Sequence, residues 1–349
     1  MKIKINLFVD RKFRELNNHS DSVNKITDII LAEDNKGEKV FKVCKPKINH
    51  HQNRFVRKFK NIVFYLEFHF SYWSPNSINL FISESSLNAS ALLSSSKNYV
   101  IMHGAEFVSH PNLRARSRYN FHERFSRLLL HWLSFRVMKF LFVSHWAAGV
   151  WLTWLKLGHD RGLVIGNPIK VTEKFNIKIT KEKIILFVGN IKAQKNLQNA
   201  LEAFNSFNNR HPEYVLKLVG PGHKEYQNKN IVVEGVVSEE KLSSLYAHSE
   251  ILLFPSLVES FGMPTIEALL HDVKVVTSHT SCLPEITRGN AYFCDPYDIA
   301  SIVSALENAH TSNDIVETDW IYENYAPGPY LKTIMKEIGR ESNIHNNNI

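Results

Sequence analysis

The chain has 349 residues, is 44% hydrophobic and carries a formal net charge of +8 at pH 7. That length exceeds the size at which one hydrophobic core stops growing, so two domains are expected. Cys44, Cys282 and Cys294 are too few and too scattered for a disulfide framework or a zinc site, which fits a reducing compartment. The charge is unevenly divided. Residues 1–170 hold 26 Lys and Arg against 12 Asp and Glu, and the remainder 16 against 22, so the first half is +14 and the second −6. The first half is therefore expected to meet something anionic, a membrane surface or a phosphorylated acceptor. No nucleic acid is expected, because the basic residues follow no zinc-finger, RNP or helix-turn-helix pattern.

In chain order, the start MKIKINLFVD has an apolar run too short for a signal peptide. Strand candidates follow at KIKINLFVD, KVFKVCK, INLFISES, NYVIMHG, FLFVS and GLVIGNP. The long apolar stretch from Leu128 is broken by His131, Arg136 and Lys139, short of the roughly 20 apolar residues a membrane span needs. A cytoplasmic protein, peripheral on the inner face of the cytoplasmic membrane, is expected. The second half alternates KIILFVG, YVLKLVG, NIVVEG, EILLFPS, VKVVTS and AYFCD with the helical segments NLQNALEAFNSF, SEEKLSSLYAHS, PTIEALL and DIASIVSALENA, two of them opened by the capping residues Ser238 and Asp298. Continuous apolar runs separated by helices predict parallel sheets buried on both faces. The expected fold is α/β, two Rossmann-like domains facing each other across a cleft. Residues 1–168 are expected to form the first domain, 169–310 the second, and 311–340 a helical segment, broken at Pro327 and Pro329, that packs back toward the first. The hinge is placed near Asn167-Pro168 and residues 341–349 are expected to be disordered.

Ligands of open α/β sheets bind outside the carboxyl ends of the strands. After EILLFPS come Glu259, Ser260, Phe261, Gly262 and Met263, then Pro264 at the first helical position and Glu267 one turn inside. Backbone N–H groups at Phe261 to Met263 suit a phosphate or a sugar hydroxyl, and carboxylates accept hydrogen bonds from vicinal hydroxyls. A lone glutamate pair would more simply serve the helix dipole and solvent.

The pair is not alone. FPSLVESFGMPTIEALL closely resembles the E-x7-E signature of retaining glycosyltransferases of family 4, the glycosyl transferases group 1, which have the GT-B fold. FVGNIKAQKNLQNALEAF resembles that family's phosphate-binding segment, LVGPG its next strand, VVEGVVSEEKLSSLYAHSEILLFPS its base-binding stretch, and TSHTSCLPEI the segment after the next strand. The resemblance implies that Glu259 takes donor-sugar hydroxyls, Glu267 the ribose, and Lys195 the diphosphate. The family often has an arginine after the glycine or before the lysine; Asn190 and Gln194 stand there instead, so Lys192 is the expected helper. Gly235 to Val237 correspond to backbone that contacts the base. NYVIMHGAEF resembles the strand that delivers a histidine into the cleft, which makes His103 the candidate beside the reacting centre. Asp10-Arg11-Lys12 departs from the glycine pair many members carry after the first strand.

The resemblance further implies retention of anomeric configuration, a GDP- or UDP-sugar donor, no protein nucleophile, no cofactor and no required metal, as no Asp-x-Asp occurs. Mannose is favoured, with a lipid-linked saccharide of surface polysaccharide (O-antigen, capsule or lipopolysaccharide) as acceptor. Arg54, Arg57 and Lys58 beside the apolar stripe Phe55, Phe59, Ile62 and Leu66, with Arg114, Arg116, Arg118, Arg124 and Arg127, suit an anionic bilayer. The alternatives are an inactive nucleotide-sugar-binding partner subunit, or a sugar-nucleotide epimerase on the same fold. A dehydrogenase is disfavoured because Gly220 and Gly222 only partly match G-x-G-x-x-G.

Overall fold

The computed structural model describes residues 5–9, 27–32, 34, 41–44, 77–83, 86–94, 96–110, 128–169, 180–314 and 318–346. Asp10-Arg11-Lys12, the basic stripe of residues 54–66 and the arginines at 114–127 lie outside them.

Each apolar run forms a strand. The first six are β1 (Ile5–Phe8), β2 (Phe41–Cys44), β3 (Ile78–Phe81), β4 (Lys97–Met102), β5 (Val137–Phe142) and β6 (Gly162–Val164). The second six are β7 (Glu182–Val188), β8 (Val215–Val219), β9 (Ile231–Gly235), β10 (Ser249–Phe254), β11 (Lys274–Ser278) and β12 (Tyr292–Cys294). They build two six-stranded sheets, ordered β2-β1-β3-β4-β5-β6 and β12-β11-β10-β7-β8-β9. Every pairing is parallel. Both faces of the strands are covered, as their unbroken hydrophobicity requires. Along β10, Ile251 and Leu253 join one core while Leu252 and Phe254 join another; along β4, Tyr99 and Ile101 part in the same way from Val100 and Met102.

The principal helices are α1 (His145–Leu155), α2 (Leu197–Asn208), α3 (Glu239–His248), α4 (Met263–Leu270), α5 (Leu283–Thr287), α6 (Ile299–Thr311), α7 (Asp319–Tyr325) and α8 (Pro327–Asn346). Ser238 caps α3 by accepting from Lys241 N at 3.3 Å, and Asp298 caps α6 by accepting from Ala300 N at 2.9 Å. The second sheet reverses direction between β7 and β10, the switch point where the loops splay apart and leave a crevice at the strand ends.

Three details depart from expectation. Pro264 occupies the second helical position, because Met263 opens α4 after the left-handed Gly262. The C-terminal segment breaks once, at Ala326, which is extended (ψ 151°) as the residue before a proline prefers. Pro329 then lies in the first turn of α8, where no intrahelical N–H is lost. Finally, α8 continues to Asn346, into the segment expected to be disordered. Tyr330, Ile334 and Ile338 anchor the helix in one core with Ile5, Leu7, Leu80 and Ile101 of the first domain, and elongation beyond a docked helix is easy.

Candidate functional site

The site starts where β7 and β8 end. Gly189 N donates to Val219 O at 2.9 Å, and a Cβ on Gly220 (φ +131°) would stand 1.8 Å from the Gly189 carbonyl oxygen. Only glycine fits there, and the two turns consequently pass in backbone contact. After Gly189, the Asn190 side chain accepts from Lys192 N at 3.0 Å and shapes the turn, while Lys192 itself is exposed. A single 3-10 turn, Ala193–Lys195, leads to Asn196 in the left-handed region. The Asn196 amide donates to Pro255 O at 3.0 Å and Pro296 O at 2.7 Å, and Leu257 N donates to Gln194 O at 2.8 Å. These bonds bind the loop after β7 to the loop after β10.

Lys195 is thereby aimed at the second loop. Its Nζ donates to Glu259 Oε1 at 2.6 Å and stands 4.9 Å from the centre of the Phe254 ring. The side chains retain only 16% and 13% exposure, so the pair is largely withdrawn from water yet reachable. Glu259 is held by its backbone: its N–H donates to Ser281 Oγ at 3.1 Å and its carbonyl accepts from Cys282 Sγ at 3.2 Å. Gly262 (φ +80°) turns the chain into α4, and a Cβ there would meet Leu283 at 2.7 Å. Phe261 is buried and its ring packs edge-on against Tyr325 at 5.2 Å, while Met263 is half-buried. One turn into α4, Glu267 Oε2 accepts from Tyr246 OH at 3.0 Å. Burial and the Glu267 carboxylate raise the Tyr246 pKa well above its ordinary value, so the phenol stays a donor. Gly235 O accepts from Gly220 N at 2.8 Å; beyond it the space is open, Val236 is exposed and Val237 half-buried.

His103 follows β4 in the first domain. Its Nε2 lies 3.1 Å from Ile82 O, and a carbonyl can only accept, so Nε2 carries the proton and Nδ1 keeps a lone pair. Burial lowers its pKa to about 4, leaving a neutral imidazole. Trp151 Nε1 donates to the His103 carbonyl at 2.9 Å. Two residues on, Ala105 N donates to Ser260 Oγ at 2.8 Å, and Ser144 Oγ donates to Ser260 O at 2.8 Å. The Glu259 loop is thus tied to the loop that carries His103. Across the same junction both Glu285 oxygens cap α1, accepting from His145 N at 2.7 Å and Trp146 N at 3.1 Å. A cavity of about 480 Å³ bordered by Val143, His145, Glu285, Arg288 and Tyr325 also lies at this junction and is lined by none of the predicted site residues.

Residues 170–326 match the family described as Glycosyl transferases group 1. The likeness to that family covers 157 of the 349 residues. The chain is 27% identical over 164 residues to an uncharacterised 41.2 kDa protein of the cps region of Klebsiella pneumoniae, a match covering 45% of each chain. It is 26% identical over 150 residues to O-antigen chain mannosyltransferase B of Escherichia coli, covering 39% of this chain and 37% of that one. It therefore spans less than half the length of these curated relatives. Among solved structures, HepE of Anabaena, crystallised with UDP and glucose, aligns over 97% of this chain and 100% of its own with a TM-score of 0.67 at 12% identity. WaaG, a glycosyltransferase of lipopolysaccharide biosynthesis, aligns over 93% and 94% with a TM-score of 0.62 at 12% identity. The likeness identifies the fold as GT-B.

Within residues 170–326 the structure brings Lys195 and Glu259 into direct contact, sets Glu267 beside Tyr246, and links Gly235 to the same turns through Gly220. Asn196, Tyr246, Ser281 and Glu285 support these residues and were not singled out from sequence. All four lie inside the stretches FVGNIKAQKNLQNALEAF, VVEGVVSEEKLSSLYAHSEILLFPS and TSHTSCLPEI that carry the resemblance, which is the available signal.

Proposed function

We propose that the chain is a retaining glycosyltransferase that moves a hexose, mannose foremost, from GDP- or UDP-sugar to a lipid-linked saccharide in assembly of surface polysaccharide. The observation that carries this reading is the Lys195–Glu259 pair at the β7/β10 switch point, with Glu267 one turn further on. The ammonium and carboxylate satisfy each other. A donor diphosphate offers Lys195 a stronger anion, beside the amides at the start of α4, and frees Glu259 to accept from sugar hydroxyls. Glu267, oriented by Tyr246, is placed for the ribose, and the backbone at Gly235 to Val237 for the base. His103, neutral and with Nδ1 unprotonated, accepts from a hydroxyl of the sugar; it cannot serve as a cation. No metal is needed in this scheme, because Lys195 and the helix amides meet the charge of the leaving diphosphate. O-antigen mannosyltransferases among the relatives support mannose and the polysaccharide context.

Release of nucleoside diphosphate from a panel of GDP- and UDP-sugars, with lipid-linked saccharides as acceptors and EDTA present, tests the reading. Glu267→Ala should lower kcat/KM by about a hundredfold, as expected for losing a charged hydrogen-bonding partner of the donor. Lys195→Met should weaken nucleoside diphosphate binding, whereas Glu259→Gln, which removes the competitor for Lys195, should not weaken it while abolishing transfer. Weaker binding in Glu259→Gln would refute the displacement scheme.

A further inference from the structure

One face of the first domain is unusual for a soluble surface. Residues 128–133 are helical and run into the 3-10 turn Ser134–Arg136, with Leu130 buried and Leu133 half-buried. Leu128, Trp132 and Phe135, spaced four and three residues apart on one stripe, are instead 58%, 69% and 65% exposed. The stripe continues onto α1. His131 and Trp154 meet edge-on at 5.6 Å, and Trp154 packs against the buried Trp151 at 5.6 Å. Alongside runs an open groove of about 610 Å³ lined by Val108, Trp146, Gly149, Val150 and Trp154. Contiguous exposed apolar surface of this kind marks an interaction site.

The charge around it selects the occupant. The described residues 128–159 contain three Lys or Arg and neither Asp nor Glu. Lys139 pairs with Glu337 at 3.6 Å, but Arg136 and Lys156 are exposed, the former 5.4 Å from the centre of the Phe135 ring. A second copy of this face would set like charges together. Tryptophan beside arginine and lysine is instead the composition favoured where apolar acyl chains meet anionic headgroups. We propose that this face, with Leu128, Trp132, Phe135 and Trp154 as its apolar contacts, docks on an anionic lipid bilayer. Val108 and Trp146 of the groove are close in the chain to Ala105 and to Ser144, which bond Ser260. On the reading of the acceptor as lipid-linked, the docked face delivers that acceptor to the cleft from the membrane side.

Co-sedimentation of the full chain with vesicles tests this without donor or acceptor, so its failure is separate from any failure of the glycosyltransferase reading. The chain should bind vesicles of one part phosphatidylglycerol to two parts phosphatidylcholine, should not bind phosphatidylcholine alone, and should be released by added salt. The double substitution Trp132→Ser, Phe135→Ser should weaken binding about tenfold or more, while the thermal midpoint and nucleoside diphosphate affinity stay unchanged. Wild-type affinity in the double variant would overturn the proposal. So would a wild-type dimer in sedimentation equilibrium that the variant abolishes without any change in vesicle binding.

Discussion

His103 shows how much a single position depends on its surroundings. From sequence it is a histidine after an apolar strand; in the structure its Nε2 is committed to Ile82 O and burial holds its pKa near 4. Between pH 6.5 and about 4 the unfolded chain binds a proton there that the folded chain does not. Its contribution to stability is therefore complete above pH 6.5 and is lost as pH falls toward 4, by up to ~3 kcal/mol. His223 and His271, whose pKa values are also lowered by burial, add in the same direction. His103→Gln should flatten the acid limb of a stability–pH curve measured by urea unfolding; an unchanged slope would show that His103 is not the buried neutral group described. The same burial predicts that transfer does not titrate with an ordinary histidine near pH 6.5. Gly220 is legible as part of LVGPG and of an incomplete nucleotide motif, but its actual requirement, contact with the Gly189 carbonyl, comes from a neighbouring strand.

At the scale of elements, the periodicities carried far. Twelve apolar runs became twelve strands, because a strand buried on both faces leaves an uninterrupted hydrophobic record that needs no knowledge of its partners. Caps at Ser238 and Asp298 were equally local. The cap of α1 was not. Ser144 accepts from Ala147 N within the helix's own turn, but the remaining amides of His145 and Trp146 are met by Glu285, 140 and 139 residues away. A carboxylate on a helix N-terminus is worth about 0.5–2 kcal/mol, and here that energy depends on the two domains touching. Glu285→Ala should therefore lower kcat/KM about tenfold through a smaller closed population, with nucleoside diphosphate affinity unchanged and a larger radius of gyration in X-ray scattering. Glu285→Gln, which keeps one acceptor oxygen, should fall between. A radius equal to wild type in Glu285→Ala would sink the idea.

At the scale of the whole molecule, chain order and spatial order diverge at the end. After α6 the chain passes through α7 and α8 and returns to the first domain, where Tyr330, Ile334 and Ile338 complete a core begun by Ile5 and Leu7. The first domain therefore cannot bury its sheet fully without the last helix. Ile334→Asp places a charge in that core and should destabilise the first domain by several kcal/mol. Calorimetry should then show an early transition for it, with a later one, shifted upward by added nucleoside diphosphate, for the domain that holds Lys195 and Glu267. One unshifted transition would contradict this division.

The sequence by itself determined which segments are strands and helices, that they form two α/β units, and that the motif residues gather in the loops after β7 and β10. Those features follow from burial periodicity and from motifs whose residues are near neighbours in the chain. Only the tertiary structure decided which atoms meet: Lys195 with Glu259 across 64 residues, Ala105 with Ser260 across 155, Glu285 with α1 across 140. Such pairings depend on how distant turns stack and how two domains abut. The pattern of a single segment records that a residue is sheltered, not what shelters it.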